Sequence, residues 1–360
     1  IRRPWDLKFE ISDFKGRSES ALQARAIARQ MGSMPSDAET LQSTIPGRPR
    51  VDRLGEGKVF IIAGRCGRLA NRMVLFANFA AFVEEHGYRL VNPTFQSYAD
   101  LFETTRRDIY CRYPVADRRS LVDMVPGAAP LIRKARLFAH AARLAGKLNE
   151  RVPVFGSRTR TVREGWVTHT SLEDPEVQAR FEGANRIFVF GWAYRAPACM
   201  RRHAGKIRAY FKPIDKHNQA GGRVVEHLRR RAGLVVGVHV RHGDYRVWRK
   251  GRYFFSVERY VLWMREMERQ FPGRKVSFLI CSDEARNPQE FDGMDVGFGT
   301  GVPVEDIVAL ASCDYIFGPV SSFTQWASFY GNKPLWHVRD LNEGIDPQKF
   351  CVSFLEEIPQ

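Results

Sequence analysis

The stretch Leu234–Tyr245, LVVGVHVRHGDY, decides the fold class. An apolar run of strand type ends in His239, Arg241, Gly243 and Asp244, so charged groups and a permissive glycine stand where a buried strand becomes a loop. In an open α/β sheet that is the ligand-binding edge, because loops leaving the carboxyl ends of the strands line the crevice. A guanidinium fixed there suits a phosphate, gripped through charge-assisted hydrogen bonds of about 1.5–3 kcal/mol each. On this segment alone, a turn carrying a surface ion pair accounts for the same residues.

Outward from this strand the pattern repeats. Strands at 276–281, 314–318 and 334–338 alternate with helices at 256–270, 303–312 and 321–330, which implies a parallel sheet covered by helices. Towards the front, a strand at 58–63, a glycine-rich loop to Ala70, a helix at 71–86 and a strand at 88–91 form one βαβ unit. A basic amphipathic helix is expected from Pro130 to Leu148, a strand at 186–190 and a helix at 216–231. The expected architecture is α/β with two Rossmann-like domains, 58–232 and 233–338, facing across a cleft. Residues 1–57, with a helical stretch at Glu19–Gln30 and the exit STIPGRPRVDRLGEG, read as an arm or stem, and 339–360 as a tail.

Composition is that of a folded globular chain: 360 residues, 44% hydrophobic and 27% charged, with no apolar run long enough to cross a bilayer. The chain begins at Ile1, so a preceding signal or anchor is an open expectation. Localisation stays unassigned: cytoplasmic if the source is bacterial, with a peripheral membrane association as a further option. Six scattered cysteines show no metal or redox spacing; Cys281 and Cys313 lie in apolar runs, which favours reduced core residues, although an even count also permits disulfides. The net charge of +16 is uneven. Residues 104–163 hold 14 Lys and Arg against 4 Asp and Glu, and 199–231 hold 10 against 2, whereas 241–360 hold 14 against 17. A positive field over the first half attracts anionic partners, and a solvated basic surface explains it equally. The basic segments lack interleaved aromatics, so no nucleic acid is expected.

Other segments bear on chemistry. Ser321 and Ser322 follow Gly318 and Pro319 and precede a helix, an anion site by dipole and free N–H groups, or ordinary N-capping. Asp283 ends the strand SFLICSD, and Asp306 stands in a first helical turn, where either acid also has a capping explanation. The loop GRCGRLANR has neither dinucleotide nor Walker spacing, and no D-x-D triplet occurs.

Five segments in fixed order, GRLANRM, FGWAYRAP, HVRHGDY, CSDEARNP and SSFTQWAS, resemble the fucosyltransferase superfamily. The similarity is greatest to the α-1,2-fucosyltransferases, with the α-1,6 and protein O-fucosyltransferases as relatives, and it covers Val59 to about Val338. It implies a GT-B type fold and an inverting, metal-independent transfer of L-fucose from GDP-β-L-fucose to a glycan hydroxyl. No cofactor is implied beyond the donor. By resemblance Arg241 holds the diphosphate, His239 meets the nucleotide, Asp306 pairs with the guanine edge, and Asp283 meets ribose or base. Ser321, Ser322 and Phe323 supply the second phosphate contact, and Gly67, Arg68 and Asn71 reach the donor across the cleft. Two departures stand out. The family's second arginine is His242 here, and the glutamate of the α-1,6 relatives falls on Arg249. Asp244 and His242 are the nearest candidates for the acceptor's general base. The implied partners are a GDP-sugar and a glycan acceptor, acidic or membrane-associated. Two alternatives remain at this point: another GDP-sugar on the same scaffold, and a non-enzymatic polyanion-binding protein.

Overall fold

Strand β8 (Leu234–Val240) is buried at every position, as a central strand of a parallel sheet must be. In the computed structural model, which describes residues 57–116, 131–132, 135–152, 154–165 and 169–355, it lies between β9 (Val276–Ser282) and β11 (Tyr315–Pro319). Strands β10 (Val296–Phe298) and β12 (Leu335–Val338) complete the order β10-β9-β8-β11-β12, parallel throughout.

The first half of the chain builds another five-stranded sheet, first in chain order. Its centre is β1 (Val59–Ile62), flanked by β2 (Arg89–Val91) and β6 (Arg186–Phe190), with β3 (Arg112–Tyr113) antiparallel at one edge and β4 (Thr159–Arg163) at the other. A small parallel pair joins β5 (Thr170–Ser171) to β7 (Tyr194–Arg195). The helix α1 (Leu69–His86) is buried nearly all round, hence its weak amphipathicity, and ends on Gly87 in the left-handed region at φ 67°. On the first sheet's other side, α2 (Leu137–Arg151) packs Ala142 and Ala145 against Ala63, Phe188 and Phe190.

Short helices α3 (Pro175–Ala179), α4 (Pro197–Arg202) and α5 (Ala204–Tyr210) lead to α6 (Asp215–Arg229). The second sheet carries α7 (Val257–Arg269), α8 (Pro303–Ser312) and α9 (Ser322–Gly331). Helices α8 and α9 cross so closely that a Cβ on Gly331 would lie 2.0 Å from the Ala311 carbonyl oxygen. The cores are not separate. Val304, Ile307, Trp326 and Phe329 join the aromatic cluster of the first half, where Trp326 meets Phe211 edge-on at 5.0 Å.

Most elements fall within two residues of their expected places, and β6 and α8 match them at both ends. The basic helix differs: α2 starts at Leu137 because Arg136 sits in the left-handed region at φ 53°. Its expected start at Pro130, the Glu19–Gln30 helix and nearly all of the 1–57 arm lie outside the described residues. Strand β4 was hidden in the basic run, where exposed Arg160 and Arg163 alternate with buried Thr159 and Val162. The 339–360 segment is partly anchored, with Cys351 bridging to Leu335 and Ile345 in the core. All six cysteines are buried, and no described helix is long and apolar enough to cross a membrane.

Two buried histidines set an acid limit on stability. Burial holds His239 on β8 and His337 on β12 at pKa values of about 3, so the folded state refuses protons that the unfolded chain accepts near pH 6.5. Stability is therefore complete above that pH and falls below it. Asp306 opposes the trend, since burial raises its carboxyl to about 6 and the folded state gains that proton first. The net expected loss between pH 6.5 and 5 is on the order of 2 kcal/mol. Urea unfolding at the two pH values checks this; equal midpoints would contradict it.

Candidate active site

At the end of β8, Arg241 Nη2 lies 2.6 Å from Asp244 Oδ1 and Nη1 lies 3.3 Å from Asp283 Oδ2. The guanidinium, 18% exposed, also sits over the Tyr245 ring at 5.3 Å. Asp283 ties the exits of β8 and β9 together, because its other oxygen accepts from the His242 N–H at 2.9 Å. The turn needs glycine at 243: a Cβ there would lie 2.4 Å from Asp283 Oδ2.

His242 does not face this edge openly. It is 4% exposed, with Nε2 at 2.7 Å from the Phe255 carbonyl oxygen and Nδ1 at 3.0 Å from Arg286 Nη2. Arginine can only donate, so Nδ1 accepts and Nε2 carries the proton given to Phe255. Burial lowers its pKa further. The expectation that His242 is a candidate general base is therefore corrected: both nitrogens are committed, and the ring braces the turn.

His239 is 3% exposed, neutral, and stacked on Phe323 with ring centroids 5.0 Å apart; its Nδ1 has no hydrogen-bond partner among the described residues. Beside it, Ser321 caps α9 by accepting from the Phe323 N–H at 3.1 Å. Tyr245 links the two elements, its hydroxyl donating to the Val320 carbonyl at 2.7 Å beneath the Arg241 guanidinium.

The front loop reaches the same place. Ser322 Oγ donates to Asn71 Oδ1 at 2.6 Å across 251 residues of sequence. Gly67 sits at φ 44°, and a Cβ there would fall 2.1 Å from Asn71 Nδ2, so no other residue leaves Asn71 where it is. Buried Arg72 pins the loop by donating to the Cys66 and Thr94 carbonyls at 3.2 and 2.9 Å. Arg68 is exposed, and its side chain has no hydrogen bond or ion pair with a described residue.

Asp306 lies further along the edge, in the first turn of α8. Its Oδ1 accepts from the Thr300 N–H at 2.8 Å, and Gly299 leaves room for it, since a Cβ there would lie 2.4 Å from that oxygen. From β10 to β11 the edge thus presents Asp306, Asp283, Arg241 and Ser321 in a row. At a strand spacing of about 4.8 Å the row spans roughly 14 Å. It suits an elongated ligand with hydrogen-bond donors at one end and an anion at the other.

Sequence reading missed Arg195, Arg286 and Tyr245. Arg195 donates to the Trp192 and Tyr194 carbonyls at 2.8 and 2.7 Å, and burial lowers its pKa to about 10. The signal was present: it follows the buried strand β6 in FGWAYRAP, as Arg241 follows β8.

Residues 211–336, which hold every site residue of the second half, match the family model described as glycosyl transferase family 11. This match makes the second half of the chain a glycosyltransferase domain. Among solved structures, it resembles a mutant of Arabidopsis thaliana FUT1 in complex with GDP, at 13% identity and TM-score 0.54, covering 83% of this chain and 74% of that one; this shows a shared fold. POFUT1 in complex with GDP aligns at 10% identity and TM-score 0.42 over 77% of this chain and 95% of its own. Fucosyltransferase NodZ from Bradyrhizobium aligns at 16% and 0.41 over 75% and 92%. No curated protein matches this chain in sequence. With enzyme membership established, the non-enzymatic polyanion-binding alternative falls away.

Proposed function

We propose that the protein transfers L-fucose from GDP-β-L-fucose to a glycan hydroxyl, with inversion and without a divalent ion, on a GT-B arrangement of 58–232 against 233–338. The observation that carries this reading is the row of Asp306, Asp283, Arg241 and Ser321 along one sheet edge, inside the family match. Guanine lies at Asp306, ribose near Asp283, and the diphosphate between Arg241 and the amino terminus of α9. The donor bond from the anomeric carbon to the phosphate oxygen breaks while the acceptor oxygen attacks the opposite face. Negative charge grows on the departing GDP, and a fixed guanidinium stabilises that charge more in the transition state than before. Arg68, free across the Asn71–Ser322 contact, adds a second cation. Asp244 orients Arg241 and stands nearest for the acceptor's proton. An α-1,2 linkage accords with the motif resemblance.

Guanine and diphosphate contacts do not choose the sugar, so a panel of GDP-sugars tests the reading. GDP-fucose should be turned over fastest, with EDTA without effect. Faster use of another GDP-sugar would reassign the donor, and turnover of none would refute the proposal.

A further inference from the structure

A cavity of about 490 Å³, away from the row just described, opens at the carboxyl edge of the first sheet. Gly64 and Arg65 after β1, Arg163, Glu164 and Gly165 at the end of β4, and Phe190 and Gly191 at the end of β6 line it, with Arg143 and Lys147 reaching in from α2. Four cations therefore meet one carboxylate. Two of the charges are already satisfied: Arg163 is paired with Glu150 at 2.7 Å, and Glu164 is paired with Arg180. The side chains of Arg65, Arg143 and Lys147 have no ion pair or hydrogen bond with any described residue. Gathering three cations round one concavity is unfavourable by mutual repulsion, and Glu150, which feels Lys147, and the lining Glu164, each already paired with another arginine, offset it only in part. An anionic ligand would offset the rest.

The walls suit a ligand larger than an ion. The volume lies in the usual range of small-ligand pockets. The strand exits are opened by glycine: a Cβ on Gly191 would lie 2.4 Å from the Glu164 carbonyl oxygen, and one on Gly64 would lie 3.0 Å from Phe190 Cα. The Phe190 ring, 4% exposed beneath the Arg163 guanidinium at 4.5 Å, closes the floor of the pocket. The position is also telling. Arg65 precedes Arg68 by three residues, at most about 10 Å of chain, on the loop that reaches Ser322 through Asn71.

We infer that the acceptor glycan carries an anionic substituent, a uronate carboxylate or a phosphate ester, and that Arg65, Arg143 and Lys147 hold it in this pocket. The inference rests on the glycosyltransferase reading for the word acceptor, and its test does not depend on turnover. Direct binding of three probes to the full chain is measured by calorimetry: a uronate oligosaccharide, its neutral counterpart of equal length, and the counterpart bearing a phosphate ester. Inorganic phosphate alone serves as a fourth arm, and GDP as a control. Arg143→Gln and Lys147→Gln change exposed side chains of α2, so folding should persist, as a thermal melt would verify.

One or both charged glycans should bind at least tenfold more tightly than the neutral one. Each variant should cost about tenfold, with loss of affinity as salt rises and no change for GDP. Preference for one charged glycan identifies its anion as the group. Equal binding of charged and neutral glycans, indifference to both variants, or phosphate binding as tightly as the charged glycans would overturn the inference. So would weakened GDP binding in the variants, which would assign the pocket to the donor. Failure of GDP-fucose turnover with charged-glycan binding intact would instead refute the donor reading and leave the pocket standing.

Discussion

Arg241→Ala should lower kcat about 10²–10³-fold, because it removes a preorganised cation from the oxygen on which charge develops. Arg241→Lys should recover only part of this, since an ammonium keeps the charge and loses the planar fork. GDP affinity should fall less than kcat does, as the interaction strengthens when the bond breaks. Single-turnover kinetics beside GDP titration separate the two. The Ala variant also leaves Asp283, whose side chain is 13% exposed, without its cation, so its thermal stability must be measured alongside. The local charge sets a further condition. Asp244 and Asp283 together outweigh one guanidinium, and the diphosphate must displace Asp244, the more exposed of the pair at 52%. Asp244→Asn should accordingly tighten GDP binding several-fold while lowering turnover, whereas unchanged turnover would remove Asp244 as the acceptor's base.

Asp306→Asn should raise the Kd for GDP about 10–100-fold, the worth of two charge-assisted hydrogen bonds to the guanine edge shared with water. It should also abolish any preference for GDP over inosine diphosphate, which lacks the 2-amino group. The wild-type protein should show a pH dependence that the variant lacks. With the Asp306 carboxyl raised to about 6 by burial, the ionised acceptor is present at pH 7.5 and mostly lost at pH 5. GDP affinity should drop about tenfold across that interval through this group alone. Phosphate ionisation affects both proteins equally, so the ratio of their affinities isolates Asp306. A ratio independent of pH would place the guanine elsewhere.

The sheets were legible because buried parallel strands are continuous apolar runs, and LVVGVHV and RIFVF admit little else. The short strands β3, β5, β7 and β10 were not, since pairing partners rather than their own residues define them. At the site, Arg241, Asp283 and Ser321 could be found from their places after strands. His242 could not be read correctly from its neighbours in sequence. Its role depends on Arg286 and the Phe255 carbonyl, 44 and 13 residues away, so a residue that looked chemical proves to be a brace. The basic pocket was visible as a charge excess in the first half, but only folding shows that Arg65, Arg143 and Lys147 converge on one cavity while Arg163 is spent on Glu150.

A crystal structure of the full chain with GDP tests the central claim most directly. The account requires the diphosphate between the Arg241 guanidinium and the Ser321–Ser322 turn, Asp244 displaced, and the guanine against Asp306. Nucleotide bound elsewhere, with Arg241 still paired to both Asp244 and Asp283, would contradict it.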